Sequence, residues 1–364
     1  MKTIAILTLA STAVTFAAGD TTALAQGLDR KLRTDAQVQS TQNDADVNRK
    51  CHKRFDGYID TLKAGKYKDS EFFKCFRTSD QIFEYVNKLV ELNPTLLTKE
   101  AISTTVQGKT IYAYKLTSGA SKPQSLYYQS LAHAREWVAG SSNLYALSAI
   151  LDDIVEKKHT AAELFNLYFV PIVNIDGYDI SWTRGKRLQR KNANEVDLNR
   201  NWPARFDHPK EDKVSSSPRF PGSGELSEPE TKGIDNWLKN KSSELAGWVD
   251  VHSYAGKILY PNGDTEELIG NDDDQNFKVL GDNVASAAGR KYNGQTAGSF
   301  GVAIGAFDDY IYRTYQKPVL TIEVAGSEFV ALKDNALKDN KDGSGGNALK
   351  DNTFKGNGGG FSFP

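Results

Sequence analysis

The sequence predicts an α/β protein: a single twisted, mixed and mostly parallel sheet with helices on both faces, followed by a flexible C-terminal tail. Three observations carry that expectation. Apolar, strand-like runs recur at residues 125–131, 168–174 and 246–252, and a β-branched one at 318–324. Stretches of helical spacing separate them, and strands that alternate with helices form sheets covered on both faces. His133, His252 and Glu323 each fall at or just past the end of one such run, where open α/β sheets gather their sites.

The chain has 364 residues, 39% apolar content and a net charge of −1. That fits one soluble domain with appendages and gives no electrostatic case for nucleic acid or an acidic membrane as a partner. The first apolar run is read as a leader. Lys2 supplies a basic start, residues 4–18 an apolar stretch, and Ala23-Leu24-Ala25 a small-residue cleavage site. The expectation is a signal peptide over residues 1–25, cleavage after Ala25, and a secreted, extracellular, monomeric protein. Cys51 and Cys75 are the two cysteines, and in an oxidising compartment they pair most simply as one disulfide. Asn240-Lys241-Ser242 is a glycosylation sequon in a eukaryotic host.

Residues 26–75 are polar and weakly patterned, which predicts a short pro-segment or N-terminal arm. The texture changes at Phe76, where a domain extending to residue 330 is expected. Ser79 caps a helical pattern through Ile82, Tyr85, Val86, Leu89 and Leu92, and Pro94 stops it. Strands follow at 111–116 and 125–131 across a Gly/Ser/Pro turn. Helices are expected at 137–154 and 161–167, a buried strand at 168–174, and a helix at 227–238. A strand at 246–252, a helix at 277–288 and a strand at 318–324 complete the domain. From Ala331 the segment Ala-Leu-Lys-Asp-Asn occurs three times among Gly, Ser and Lys, so residues 331–364 are expected to form a solvated, low-complexity repeat tail.

Four segments carry chemistry. In Leu131-Ala-His133-Ala-Arg135-Glu136-Trp137, His133 and Glu136 stand three apart, so a helical turn would set imidazole and carboxylate on one face. His252 closes the strand of Gly247-Trp-Val-Asp-Val-His252-Ser-Tyr254. Two His and one Glu would hold one Zn²⁺ and leave it an open position suited to hydrolysis. Asp197-Leu-Asn199-Arg200-Asn-Trp202, with Arg190 upstream, presents guanidinium forks and an amide that match a carboxylate. Asp197 is also suited to accept a hydrogen bond from a ligating imidazole. Glu323, alone in an apolar strand, is either a surface-edge residue or a general base.

With these segments in place, residues 76–326 resemble the zinc metallocarboxypeptidases of the pancreatic carboxypeptidase A/B (funnelin) family. The resemblance rests on His-x-Arg-Glu-Trp, Arg-Leu-x-Arg-Lys, Asp-x-Asn-Arg-Asn-Trp, His-Ser-Tyr and the Thr-x-Glu strand, in family order. It implies a carboxypeptidase-like α/β/α fold and removal of single C-terminal residues from peptide or protein C-termini. His133, Glu136 and His252 would bind one zinc, with Asp197 behind His133. Glu323 would take a proton from the attacking water, and Arg190 would stabilise the oxyanion. Asn199 and Arg200 would hold the C-terminal carboxylate, with Arg135 and Tyr254 along the path of the preceding residues. Asp308, read as the first Asp of Phe307-Asp308-Asp309, would lie at the pocket floor and select Lys or Arg, as in the B-type enzymes. Two exposed loop aspartates, with Phe307 in that place instead, are the competing arrangement.

Three departures from the family pattern stand out. Residues 296–303 lack the tyrosine that closes over substrate, which predicts slower turnover. Residues 26–75 are shorter than the family's inhibitory pro-domain. The Gly360-Phe361-Ser-Phe363-Pro364 stretch resembles the lead-in to the family's final helix but ends the sequence, which predicts an exposed apolar groove. The competing functions are an A-like enzyme for apolar or aromatic C-termini, a zinc amidohydrolase of N-acyl amino acids, and a catalytically weak peptide-binding protein.

Overall fold

The structure, a computed structural model, describes the side chains of residues 44–326. Before them it describes the backbone of two short strands, β1 (Leu24–Gln26) and β2 (Leu32–Thr34), and the start of the first helix, α1 (Asp35–Arg54). Apart from Leu24 and Ala25, the expected leader lies outside the described residues, as does the repeat tail.

Eight further strands form one sheet: β3 (Leu97–Thr104), β4 (Thr110–Leu116), β5 (Ser125–Ser130), β6 (Asn166–Val170), β7 (Leu245–Ser253), β8 (Lys257–Tyr260), β9 (Asn293–Thr296) and β10 (Val319–Val324). Their spatial order is β3-β4-β6-β5-β7-β10-β8-β9. The four interior strands β6, β5, β7 and β10 run parallel. Antiparallel pairing joins β3 to β4, β4 to β6 and β8 to β10. The parallel strands are buried on both faces, which explains why they read in the sequence as near-continuous apolar runs. Strands β3, β8 and β9 lie toward the edges, with more polar or shorter sequences and no such run to announce them.

The remaining helices are α2 (Ser79–Leu92), α3 (Trp137–Val155), α4 (Ile175–Ser181), α5 (Pro229–Lys241), α6 (Asp273–Ala288), α7 (Ala297–Phe300) and α8 (Phe307–Tyr315). Thr78, not Ser79, caps α2, in a reciprocal capping box with Gln81. The helix expected at 161–167 is only a turn at Ala161–Glu163. Leu167 already belongs to β6, in register with Leu116 on one side and Leu126 on the other. Two ladders of hydrogen bonds outweigh the helical preference of a short segment.

Residues 44–75 fold onto this domain. Tyr58, Tyr67, Phe72 and Phe73 are buried in the same core as Tyr85 of α2. The expected Cys51–Cys75 disulfide is formed. Asn48 Oδ1 accepts the Phe76 N–H at 2.9 Å, and Asp44 pairs with buried Arg187 at 3.0 Å.

A second buried acid gives a stability prediction. Glu230, in the first turn of α5, is fully buried and accepts the Val106 N–H at 3.1 Å. Burial pushes its carboxyl up to about 7, against hydrogen bonds that pull it down. The folded state therefore binds this proton more tightly than the unfolded chain. Stability is full below the unfolded value near 4.5 and falls as pH rises through about 7. Glu230→Gln should flatten that slope and raise stability at pH 8 by about 2–3 kcal/mol relative to wild type. Urea melts at pH 5 and pH 8 test this; equal slopes for both proteins would refute it.

Candidate metal and substrate site

The site forms where β5, β7 and β10 end. After β5 the chain leaves the sheet through Leu131, whose φ of +58° is rare for a branched residue. The Leu131 side chain is buried against Gly140 of α3, where an added Cβ would stand 2.5 Å from Leu131 Cδ1. Glycine at 140 lets the helix approach the turn that carries His133. Asn174 then ties two loops together, its Nδ2 reaching Ala132 O at 3.2 Å and Arg190 O at 3.4 Å.

His133 and Glu136 share a turn that ends where α3 begins. The Glu136 N–H donates to His133 O at 3.1 Å, and Glu136 is the capping residue of α3. The spacing still brings the side chains together: His133 Nδ1 lies 2.8 Å from one Glu136 oxygen. His252, on β7, places its Nδ1 3.0 Å from the other oxygen and 3.1 Å from His133 Nδ1. All three donor atoms lie within 4.8 Å of one another, and all three residues are buried. Burial alone would raise the Glu136 carboxyl, but the two imidazoles hold it well below the usual carboxylate range.

This donor set fits a zinc ion. Each imidazole turns one nitrogen inward and anchors the other: His133 Nε2 on Asp197 Oδ1 and His252 Nε2 on Asp250 Oδ2, both at 3.0 Å. Two neutral imidazoles and a carboxylate are borderline ligands that leave room for a fourth. Asp197 is fully buried; it accepts a hydrogen bond from Arg190 Nε at 2.9 Å and forms an ion pair with Arg190 Nη2 at 2.8 Å. Burial opposes its ionisation, but Arg190 and His133 hold its carboxyl well below the usual range.

Glu323 of β10 is in register with His252 of β7, so their side chains neighbour each other on one face of the sheet. It is partly exposed. Burial and then the charge of Glu136 push its carboxyl up to about 7. One layer deeper, Thr321 of β10 pairs with Asp250 of β7, and Thr321 Oγ1 lies 3.3 Å from Asp308 Oδ2. Asp308 is 4% exposed, and burial raises its carboxyl. Asp309 does a different task, accepting the Gly263 and Asp264 N–H groups, each at 2.8 Å. Phe307 is in the core against Trp202, and its N–H donates to Asn199 Oδ1 at 2.8 Å. Both aspartates are therefore buried and not exposed on a loop.

The expected site residues thus fall into groups. Arg190, Asp197, Asn199 and Arg200 gather beside the His133–Glu136–His252 group, and Arg200 feels the charges of both Asp197 and Asp308. Arg190 leans onto His133, its Nη1 3.2 Å from Nδ1. Arg135 lies between His133 and Glu136 in sequence, Tyr254 lies two residues past His252, and both are partly exposed. In place of the family's closing tyrosine, residues 296–303 present Phe300 and Val302 to solvent. Asp250 and Thr321 were missed, although the two-residue period of a strand puts Asp250 on the face of His252 and Thr321 on that of Glu323.

The family model for zinc carboxypeptidases matches residues 82–342. The chain belongs to the zinc carboxypeptidase family. Carboxypeptidase O of Bos taurus is 27% identical over 253 residues, covering 66% of this chain and 65% of that protein. Carboxypeptidase B of Bos taurus is 27% identical over 264 residues, covering 69% and 63%. The chain thus spans a little under two thirds of these relatives' length. The solved structure of carboxypeptidase A from Helicoverpa armigera shares the fold, with a TM-score of 0.66 at 22% identity over 85% of this chain and 77% of that one.

Proposed function

We propose that this zinc carboxypeptidase family member is a secreted exopeptidase that removes single C-terminal residues from peptides, with preference for Lys and Arg. The observation that carries the proposal is the meeting of His133, Glu136 and His252 with Glu323 across the β7–β10 register. Carboxylates outnumber guanidinium groups around that centre, which favours a dication there. His133, Glu136 and His252 would hold the zinc, which would supply Lewis acidity to the scissile carbonyl and to water.

The chain's own residues do the rest. Arg200 and the amide of Asn199 receive the terminal carboxylate of the peptide, which restricts the site to chain ends. Arg190, held at Asp197, supplies positive charge where the carbonyl oxygen gains negative charge. Glu323 accepts a proton from the attacking water and returns one to the departing amine. Asp308, buried against Thr321, offers a carboxylate to a cationic side chain at the pocket floor. A leader-like stretch over the first 25 residues supports secretion.

Hydrolysis of two N-blocked dipeptides, one ending in Arg and one in Phe, tests this, each with and without a zinc chelator. Chelator-sensitive release of Arg over Phe is expected. Release of Phe over Arg would leave the exopeptidase and remove the basic preference. No release from either, with one zinc bound per chain, would point to a peptide-binding role.

A further inference from the structure

A histidine that ligates through one ring nitrogen is oriented by the partner of the other. For His133 that partner is Asp197. His252 has a separate one. Its Nε2 lies 3.0 Å from Oδ2 of Asp250, two residues back on the same face of β7. Asp250 is 1% exposed, and the sheet holds its backbone on both sides, in register with Gln129 of β5 and Thr321 of β10. Its other oxygen, Oδ1, is buried without a hydrogen-bond partner. A carboxylate so deep and only half satisfied costs several kcal/mol unless positive charge lies close. The His252 ring is the group it bonds, and beyond that ring lies the three-donor centre.

We propose that Asp250 is a positioning residue for the metal: it holds the proton of His252 on Nε2 and turns the Nδ1 lone pair toward His133 and Glu136. The inference rests on the metal-site reading above. The two imidazoles then share one design, Nδ1 inward and Nε2–H donating outward to a buried aspartate. Because Asp250 is anchored in the sheet interior while Asp197 caps a turn in a loop, His252 is the more rigid half of the site.

The test is Asp250→Asn, which keeps the shape and an acceptor but removes the charge. Zinc affinity is measured by competition with a chromophoric chelator at fixed pH, beside urea melts of the metal-free proteins. The expected result is a zinc Kd raised 10–100-fold, with metal-free stability equal to or above that of wild type. A residue that only braces β7 would give the reverse, a lower midpoint and an unchanged Kd, and that would overturn the proposal. Should the variant not fold, ¹⁵N-imidazole spectra of the zinc-loaded wild type decide, since the chain has only five histidines. A protonated Nε2 and a metal-shifted Nδ1 at His252 support the proposal; the opposite assignment overturns it. A wild type that binds zinc beside an Asn variant of equal affinity refutes the role of Asp250 alone. A wild type that binds no zinc refutes the metal-site reading itself.

Discussion

Glu323→Gln should lower kcat on an Arg-ending dipeptide by about 10²–10⁴-fold, the usual contribution of a general base, with one zinc per chain retained. The carboxylate stands beside the His133–Glu136–His252 group that could hold the metal without belonging to it. Glutamine keeps the volume and the hydrogen-bonding oxygen but cannot take a proton. Burial and then the charge of Glu136 push the Glu323 carboxyl up to about 7. A dication nearby favours the charged form, so in the loaded protein this group should titrate below that value. The base works only when ionised, so kcat/KM should rise with pH along an acid limb below 7, and the limb should vanish in the Gln variant's residual rate. A variant that keeps more than a tenth of wild-type kcat would remove Glu323 from the mechanism.

Asp308→Asn should cut kcat/KM for the Arg-ending substrate by about 30–1000-fold, the equivalent of roughly 2–4 kcal/mol for one partner of a buried charge pair. The Phe-ending substrate should change little. Asp308 is the buried acid that Thr321 holds one layer beneath Glu323, whereas Asp309 is occupied by the Gly263 and Asp264 amides. The asparagine keeps the contact to Thr321, so a loss confined to the basic substrate reports charge and not shape. An equal fall for both substrates would mean that Asp308 only supports the start of α8.

These expectations draw on two kinds of information. The identities and order of the candidate reactive residues were readable from the chain because chemistry restricts which side chains can serve. Few side chains can ligate zinc, and His133, Glu136 and His252 fall where apolar strands give way to loops. The parallel strands were legible for a related reason, since burial on both faces forces an unbroken apolar run. The Cys51–Cys75 pairing followed from having only two cysteines.

Other features were not written in any local pattern. That Leu167 would join β6 and not a helix depended on two neighbouring strands, each far away in sequence. That the weakly patterned residues 44–75 would pack around Tyr58, Tyr67 and Phe72 depended on a surface offered by α2. Which aspartate of 308 and 309 faces Thr321 was decided by the loop at 263–264, which claims Asp309. Asp250 took its meaning only from His252 and the unpartnered oxygen behind it.

The sequence by itself determined which residues could act as donors, where a lone carboxylate would stand in an apolar strand, and the family of the fold, because ligand chemistry and strand burial act residue by residue. Only the tertiary structure decided the distances and the partners. A contact between residues 119 apart, as His133 and His252 are, is specified by sheet register and by which loop reaches a buried group first. Those are properties of the packed whole, where each hydrogen bond made in the interior excludes another.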